Sequence, residues 1–138
     1  MAKPPHARMS GAMQIWERSF PGAMEQAGQV RAALRPELED CPAADEVILL
    51  LSELSTNAVA HSSSGRPDGK FTVRFQHFPG RYIWGEVEDE GSGWDGSLRD
   101  SARDASGLFL VINFASAYGV DRETNGHRVV WFRIAYAS

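Results

Sequence analysis

The segment that most constrains the fold of this chain is a long amphipathic stretch from residue 43 to residue 61. Its apolar side chains recur at helical spacing and form one stripe, made of Val47, Ile48, Leu51, Leu54 and Ala58. A helix with such a stripe needs a second layer of structure to cover it. Because 138 residues are typical of one domain, the chain is expected to build a single core around this helix.

Alternation of apolar and polar residues predicts a β-sheet as the covering layer. The predicted strands are residues 13–20, 71–76, 81–89, 120–121 and 129–136, and the second and third form a hairpin. Further helices are expected over residues 24–38, where Pro36 kinks or ends the helix, and over residues 108–118, with Gly119 as C-cap. This order indicates an α+β fold, a two-layer sandwich with helices on one face of a mixed, mostly antiparallel sheet.

Composition and charge narrow the possible functions. The formal net charge of −4 argues against nucleic-acid binding, and the single cysteine, Cys41, excludes both an internal disulfide and a multi-cysteine zinc site. The longest apolar run, residues 47–51, is far shorter than the roughly 20 residues of a membrane helix. Residues 1–11 predict a flexible tail without the apolar core of a secretory signal, so we expect a cytoplasmic domain over residues 12–138.

Three polar features stand out against this background. On the long helix, Glu53, Asn57 and His61 are spaced four residues apart and share one side. A carboxylate beside an amide suits a hydrated magnesium ion with a base next to it. The spacing alone is more typical of a solvated helix face, and that simpler interpretation is favoured for this motif taken singly.

The other two features are glycine motifs. Asp89 ends a predicted strand and is followed by Gly91 and Gly93, so its carboxylate could accept a hydrogen bond from an exocyclic amine while the glycines admit a flat ring. An acidic turn explains the same residues. Ser106 and Gly107 precede an apolar helix, whose free N–H groups favour phosphate, although Ser106 as an ordinary N-cap is the alternative.

Taken in order, these motifs and the final Val-Val-Trp-Phe-Arg-Ile segment resemble the boxes of the GHKL (Bergerat-fold) ATPases, most closely the anti-sigma-factor serine kinases, over about residues 12–136. The resemblance implies that Glu53 is the general base, that Asn57 is the magnesium ligand and that Asp89 reads the adenine amine. It also implies that the nucleotide pocket and its lid, residues 94–106, are shaped by further residues, namely Gly91, Gly93, Ser106, Gly107 and Leu108.

The family resemblance implies a function as well. Such a protein binds ATP and Mg²⁺, phosphorylates a serine on an antagonist of the STAS type and sequesters a sigma factor, often as a homodimer. Two residues depart from the family pattern: Ala105 replaces a lid glycine, and Val129 replaces a threonine expected near the adenine. Because of these departures, a second interpretation stays open, namely a nucleotide-binding partner-switch protein with little or no kinase activity. The third alternative is a plain binding domain in which the motifs are coincidental.

Overall fold

A computed structural model of the chain describes residues 13–61, 69–91 and 113–136, with His61 described in its backbone alone. Its elements in chain order are β1 (Gln14–Pro21), α1 (Gln26–Leu34), a 3₁₀ turn (Pro36–Leu38), α2 (Ala44–His61), β2 (Lys70–Phe78), β3 (Tyr82–Asp89), β4 (Ala117–Arg122) and β5 (Arg128–Ala135). The strands form one sheet in the order β1-β2-β3-β5-β4, and each neighbouring pair is antiparallel.

The core lies between the sheet and the helices. The predicted apolar stripe of α2 is buried, and α2 packs against β2 and β3 while α1 packs against α2. Alternate residues of β2, namely Phe71, Val73 and Phe75, face this core. The two-layer α+β prediction is therefore confirmed, and the described strand pairs are all antiparallel. No helix within the described ranges is long and apolar enough to span a membrane.

Pro36 ends the first helix as the sequence predicts. α1 stops at Leu34, and the chain continues from Pro36 in a 3₁₀ turn, because proline has no N–H for the helical ladder. Leu34 and Leu38 remain buried in the core on either side of this break. The break thus changes the direction of the chain without exposing its apolar residues.

The predicted helix over residues 108–118 is wrong at its end. Only residues 113 and 114 are helical within the described part of this segment, and β4 begins at Ala117. Gly119 is therefore a strand residue and not a C-cap. It lies opposite Trp131, and a Cβ atom at position 119 would come within 2.7 Å of the indole ring. This glycine makes room for a buried tryptophan of the neighbouring strand.

A charged network lies on the sheet face opposite the helices. Arg74 donates hydrogen bonds to Glu86 at 3.1 Å and to Glu88 at 2.7 Å. The second carboxylate oxygen of Glu88 is 2.7 Å from Nδ1 of His127. Burial raises the pKa of Glu88, but the hydrogen bonds from His127 and Arg74 outweigh it, so the pKa of Glu88 is lowered. The network ties β2, β3 and the start of β5 together.

Candidate active site

The candidate site lies at the edge of the sheet where β3 ends and β5 begins. Asp89, the last residue of β3, is the register partner of Arg128, the first residue of β5. The C-terminal half of α2 covers this pair. Seven residues from three elements line one narrow gap here: Leu54, Asn57 and Ala58 of α2, Val87 and Asp89 of β3, and Arg128 and Val130 of β5.

Asp89 is buried and both of its carboxylate oxygens accept hydrogen bonds. The backbone N–H of Gly91 donates to Oδ1 at 2.8 Å. Nε of Arg128 donates to Oδ2 at 3.1 Å, and Nη2 of the same guanidinium also donates to Oδ2. Burial raises the pKa of Asp89, although the charge of Arg128 and the Gly91 N–H lower it. The predicted adenine-reading carboxylate is therefore held by an internal ion pair.

Gly91 has a local structural role. Its φ of +70° lies in the left-handed region, and a Cβ atom here would be 2.4 Å from the carbonyl oxygen of Gly126. The turn after β3 thus packs directly on the turn before β5. These contacts account for a glycine at position 91 without a ligand, so its part in a nucleotide pocket stays a prediction.

The structure brings Asn57 and Asp89 to the same gap. Asn57 is 6% exposed, which is unusual for an amide, and it lines the gap from α2. Glu53 lies one helical turn earlier and is half-buried, but it is not among the described residues that line the gap. The neighbouring hydroxyls bond to the helix itself: Ser55 donates to the Leu51 carbonyl at 2.7 Å.

The polar groups of the gap fit a magnesium nucleotide, but its volume does not. An amide oxygen can share Mg²⁺ with phosphates, and a carboxylate can accept from an adenine amine. The described residues contain no cluster of three His, Cys, Asp or Glu side chains that could hold a metal, so magnesium binding would rest on Asn57. However, between the described residues that line it the gap has no room for even a water molecule, whereas ligand pockets typically measure about 300–1,000 Å³.

Arg128 is the site residue that the sequence analysis missed, and the interpretation of Val129 was wrong. In the register, Val129 lies opposite Glu88 and Arg128 lies opposite Asp89. Because successive strand residues face opposite sides, Arg128 points into the gap with Val130 while Val129 lies on the other face. Counting back by twos from the core residues of β5 would have placed Arg128 beside Asp89.

The remaining predicted site residues lie outside the described part of the chain. They are Gly93, Ser106, Gly107 and Leu108, together with Ala105 and the rest of the predicted lid, residues 94–106. The predicted tail, residues 1–11, lies outside it as well. The roles of these segments stay predictions.

The sequence matches a known protein family over most of its length. The chain matches the family model of the histidine kinase-like ATPase domain over residues 20–134. It belongs to that family, so the resemblance to the GHKL ATPases is confirmed. Comparison with curated proteins finds no match.

Two solved structures share the fold. One contains the RsbU and RsbW domains of Rv1364c from Mycobacterium tuberculosis, with 16% sequence identity, a TM-score of 0.61 and 91% of this chain covered. This chain spans about a third of that protein, since 34% of it is covered. The other is the SiaB–SiaC complex from Pseudomonas aeruginosa, with 14% identity, a TM-score of 0.57, and coverage of 88% of this chain and 89% of that one.

Proposed function

We propose that the chain is an ATP-binding regulator of the anti-sigma-factor type that phosphorylates a serine on a STAS-type antagonist. The observation that carries this proposal is the convergence of Asn57 and Asp89, from elements far apart in sequence, on one gap of a histidine kinase-like ATPase domain. Structural similarity to an RsbW domain and to the SiaB–SiaC complex supports a protein partner. The working unit is residues 12–138, acting in the cytoplasm and able to pair as a homodimer.

Each residue has one role in this proposal. ATP supplies the phosphoryl group, and its Mg²⁺ would be held by the Asn57 amide oxygen with the phosphates. Asp89 accepts from the adenine amine, with the turn at Gly91 orienting its carboxylate. Glu53, one helical turn before Asn57, orients the serine hydroxyl of the antagonist and takes its proton. The released antagonist and a sigma factor are the alternate protein partners.

The proposal is tested with a STAS-type antagonist that co-purifies with this protein. Transfer of labelled phosphate from ATP to that antagonist is measured. Glu53→Gln keeps the size and hydrogen-bonding reach of the side chain but removes its basicity, so transfer should fall by about 10²–10⁴. ATP binding should not change. Glu46→Gln is the matched control, because Glu46 is an exposed carboxylate on the same helix. Equal transfer by the parent and Glu53→Gln proteins would refute Glu53 as the base.

A second candidate function is a partner-switch protein with little or no kinase activity. The observation that favours it is the guanidinium of Arg128, which takes up the gap beside Asp89. Tight partner binding without phosphate transfer by the parent protein would support this candidate over the kinase.

A further inference from the structure

The Arg128–Asp89 ion pair is the most deeply buried charged contact in the described part of the chain. Arg128 is 0% exposed and Asp89 is 2% exposed. The other described ion pairs lie on the opposite sheet face or at the surface, and each has a partner with some exposure. An arginine at this depth requires a reason, because charged side chains are rarely fully buried.

Stability alone does not account for this pair. Removing two charges from water costs several kcal/mol for each ion, and replacing a buried pair with apolar residues is often neutral or stabilising. Burial lowers the pKa of Arg128 although the charge of Asp89 raises it, which reflects the same cost. The surrounding side chains, Leu54, Val87 and Val130, would also accommodate an apolar residue at position 128.

The guanidinium of Arg128 and a nucleotide base compete for the same space beside Asp89. Oδ1 of Asp89 accepts from Gly91, and Oδ2 accepts from two N–H groups of Arg128. Oδ1 can accept a second donor, but an adenine amine could approach the carboxylate through the gap only after the guanidinium has moved out of it. The gap between Asp89 and Asn57 is also closed to a water molecule while Arg128 lies in it.

Movement of Arg128 does not require the sheet to open. Its backbone begins β5 directly after a turn in which Gly126 has a φ of +86°. Arg122, the register partner of Arg128 on β4, adds a second positive charge that disfavours the buried guanidinium. In the proposal below, rotation of this one long side chain away from Oδ2 frees the carboxylate.

We propose that Arg128 is an intramolecular latch that closes the base end of the nucleotide site by occupying Asp89. The inference rests on the proposed function in one respect, namely that the base enters at Asp89. Nucleotide binds only those molecules in which Arg128 is displaced, so the apparent dissociation constant is the intrinsic one divided by the open fraction. The latch sets how much ATP the regulator needs before it responds.

Calorimetric titration with Mg-ATP and with adenosine tests the latch. Arg128→Thr removes the guanidinium and opens the gap, so both ligands should bind about ten-fold tighter or more. Adenosine is included because the latch acts at the base and not at the phosphates. Arg133→Gln is the matched control, since Arg133 lies on the same strand but packs over the Tyr82 ring and does not line the gap. It should leave both affinities unchanged.

A second variant provides the same test if Arg128→Thr does not fold. Arg128→Lys keeps the positive charge but replaces the planar fork with a single point contact, so it should bind both ligands more tightly than the parent. Unchanged affinity in folded Arg128→Thr or Arg128→Lys protein would overturn the latch. Tighter binding of GTP than of ATP by the parent, lost in both variants, would also overturn it, because Arg128 would then read the base.

The latch and the proposed kinase can fail separately. If the parent transfers phosphate but Arg128→Thr binds ATP no more tightly, the latch is overturned and the kinase stands. If Arg128→Thr gains ATP affinity but neither protein transfers phosphate, the latch stands and the kinase proposal fails. If neither protein nor Arg128→Lys binds ATP or adenosine, the latch is overturned together with the nucleotide site.

Discussion

Replacement of Arg128 by methionine should be strongly destabilising, because it removes the cation that is paired with the buried carboxylate of Asp89. Methionine fills the gap between Asp89 and α2 with apolar atoms, so the carboxylate loses its cation without gaining water. Breaking a buried ion pair in this way typically costs about 3–5 kcal/mol, because an uncompensated charge stays buried. Threonine at the same position costs less, because the shorter side chain lets water reach Asp89.

The loss of stability caused by Arg128→Met should depend on pH and should be larger at neutral pH than in acid. Burial already raises the pKa of Asp89 in the parent, and without Arg128 only the Gly91 N–H and the charge of His127 oppose it, so the pKa should rise further. A carboxyl whose pKa is higher in the folded than in the unfolded state destabilises the fold above the folded pKa. Below about pH 3.9, the ordinary value for aspartate, both states are protonated and the penalty disappears.

Urea unfolding at several pH values measures both effects. We expect the Arg128→Met deficit to be largest at neutral pH and to shrink as the pH falls. The double variant Asp89→Asn/Arg128→Met should recover most of the loss, because the buried charge has gone. Together with the single variant Asp89→Asn it completes the cycle that gives the coupling energy of the pair. A neutral-pH deficit below about 0.5 kcal/mol, the range of ordinary surface changes, would refute the assignment of a buried ion pair.

Three further predictions concern other parts of the structure. Asn57→Ala should abolish the magnesium-dependent part of ATP affinity in calorimetry, and an unchanged response to magnesium would show that Asn57 is not a ligand. Gly91→Ala should lower the free energy of unfolding more than Gly80→Ala; both pay about 1–3 kcal/mol for positive φ, but only position 91 also meets a carbonyl oxygen. Glu88→Gln should cost about 1.5 kcal/mol at neutral pH in urea unfolding. The pKa of Glu88 is lower in the folded protein than its ordinary value. The loss of stability should therefore shrink as the pH falls below about 4.3, the ordinary value for glutamate, and disappear below the folded pKa. A deficit that does not change with pH would contradict this prediction.

Local patterns predicted the parts of the fold that depend on local physics. The stripe of α2 and the hairpin of β2 and β3 follow from the periodicity of burial, which is written into neighbouring residues. The end of α1 before Pro36 follows from a missing N–H group. In each case the property that decides the structure belongs to residues within one or two turns.

The sequence-based predictions that were wrong concern residues whose structure depends on contacts between distant segments. Residues 117–119 belong to a strand because they pair with β5, and Gly119 is required by the ring of Trp131. Neither partner is visible from the apolar composition of the segment itself. Asn57 and Asp89 were singled out from the sequence because their types are chemically unusual where they stand, and the structure brings both to one gap. Arg128 was missed because an arginine at the start of a strand is ordinary until the register puts it in the core.

The register also changes what the family motif implies for this chain. An aspartate followed by glycines indicates a carboxylate that is ready to accept a base only if the facing position of the next strand is small or uncharged. Here that position is Arg128, and its guanidinium satisfies Oδ2 of Asp89 within the protein. In the proposed nucleotide site, the base and the guanidinium would need the same space beside this carboxylate, so Asp89 would meet one or the other. If the latch that we propose is correct, nucleotide binding is an exchange of partners at Asp89, and the free energy of the Arg128 pair lowers the affinity for the base.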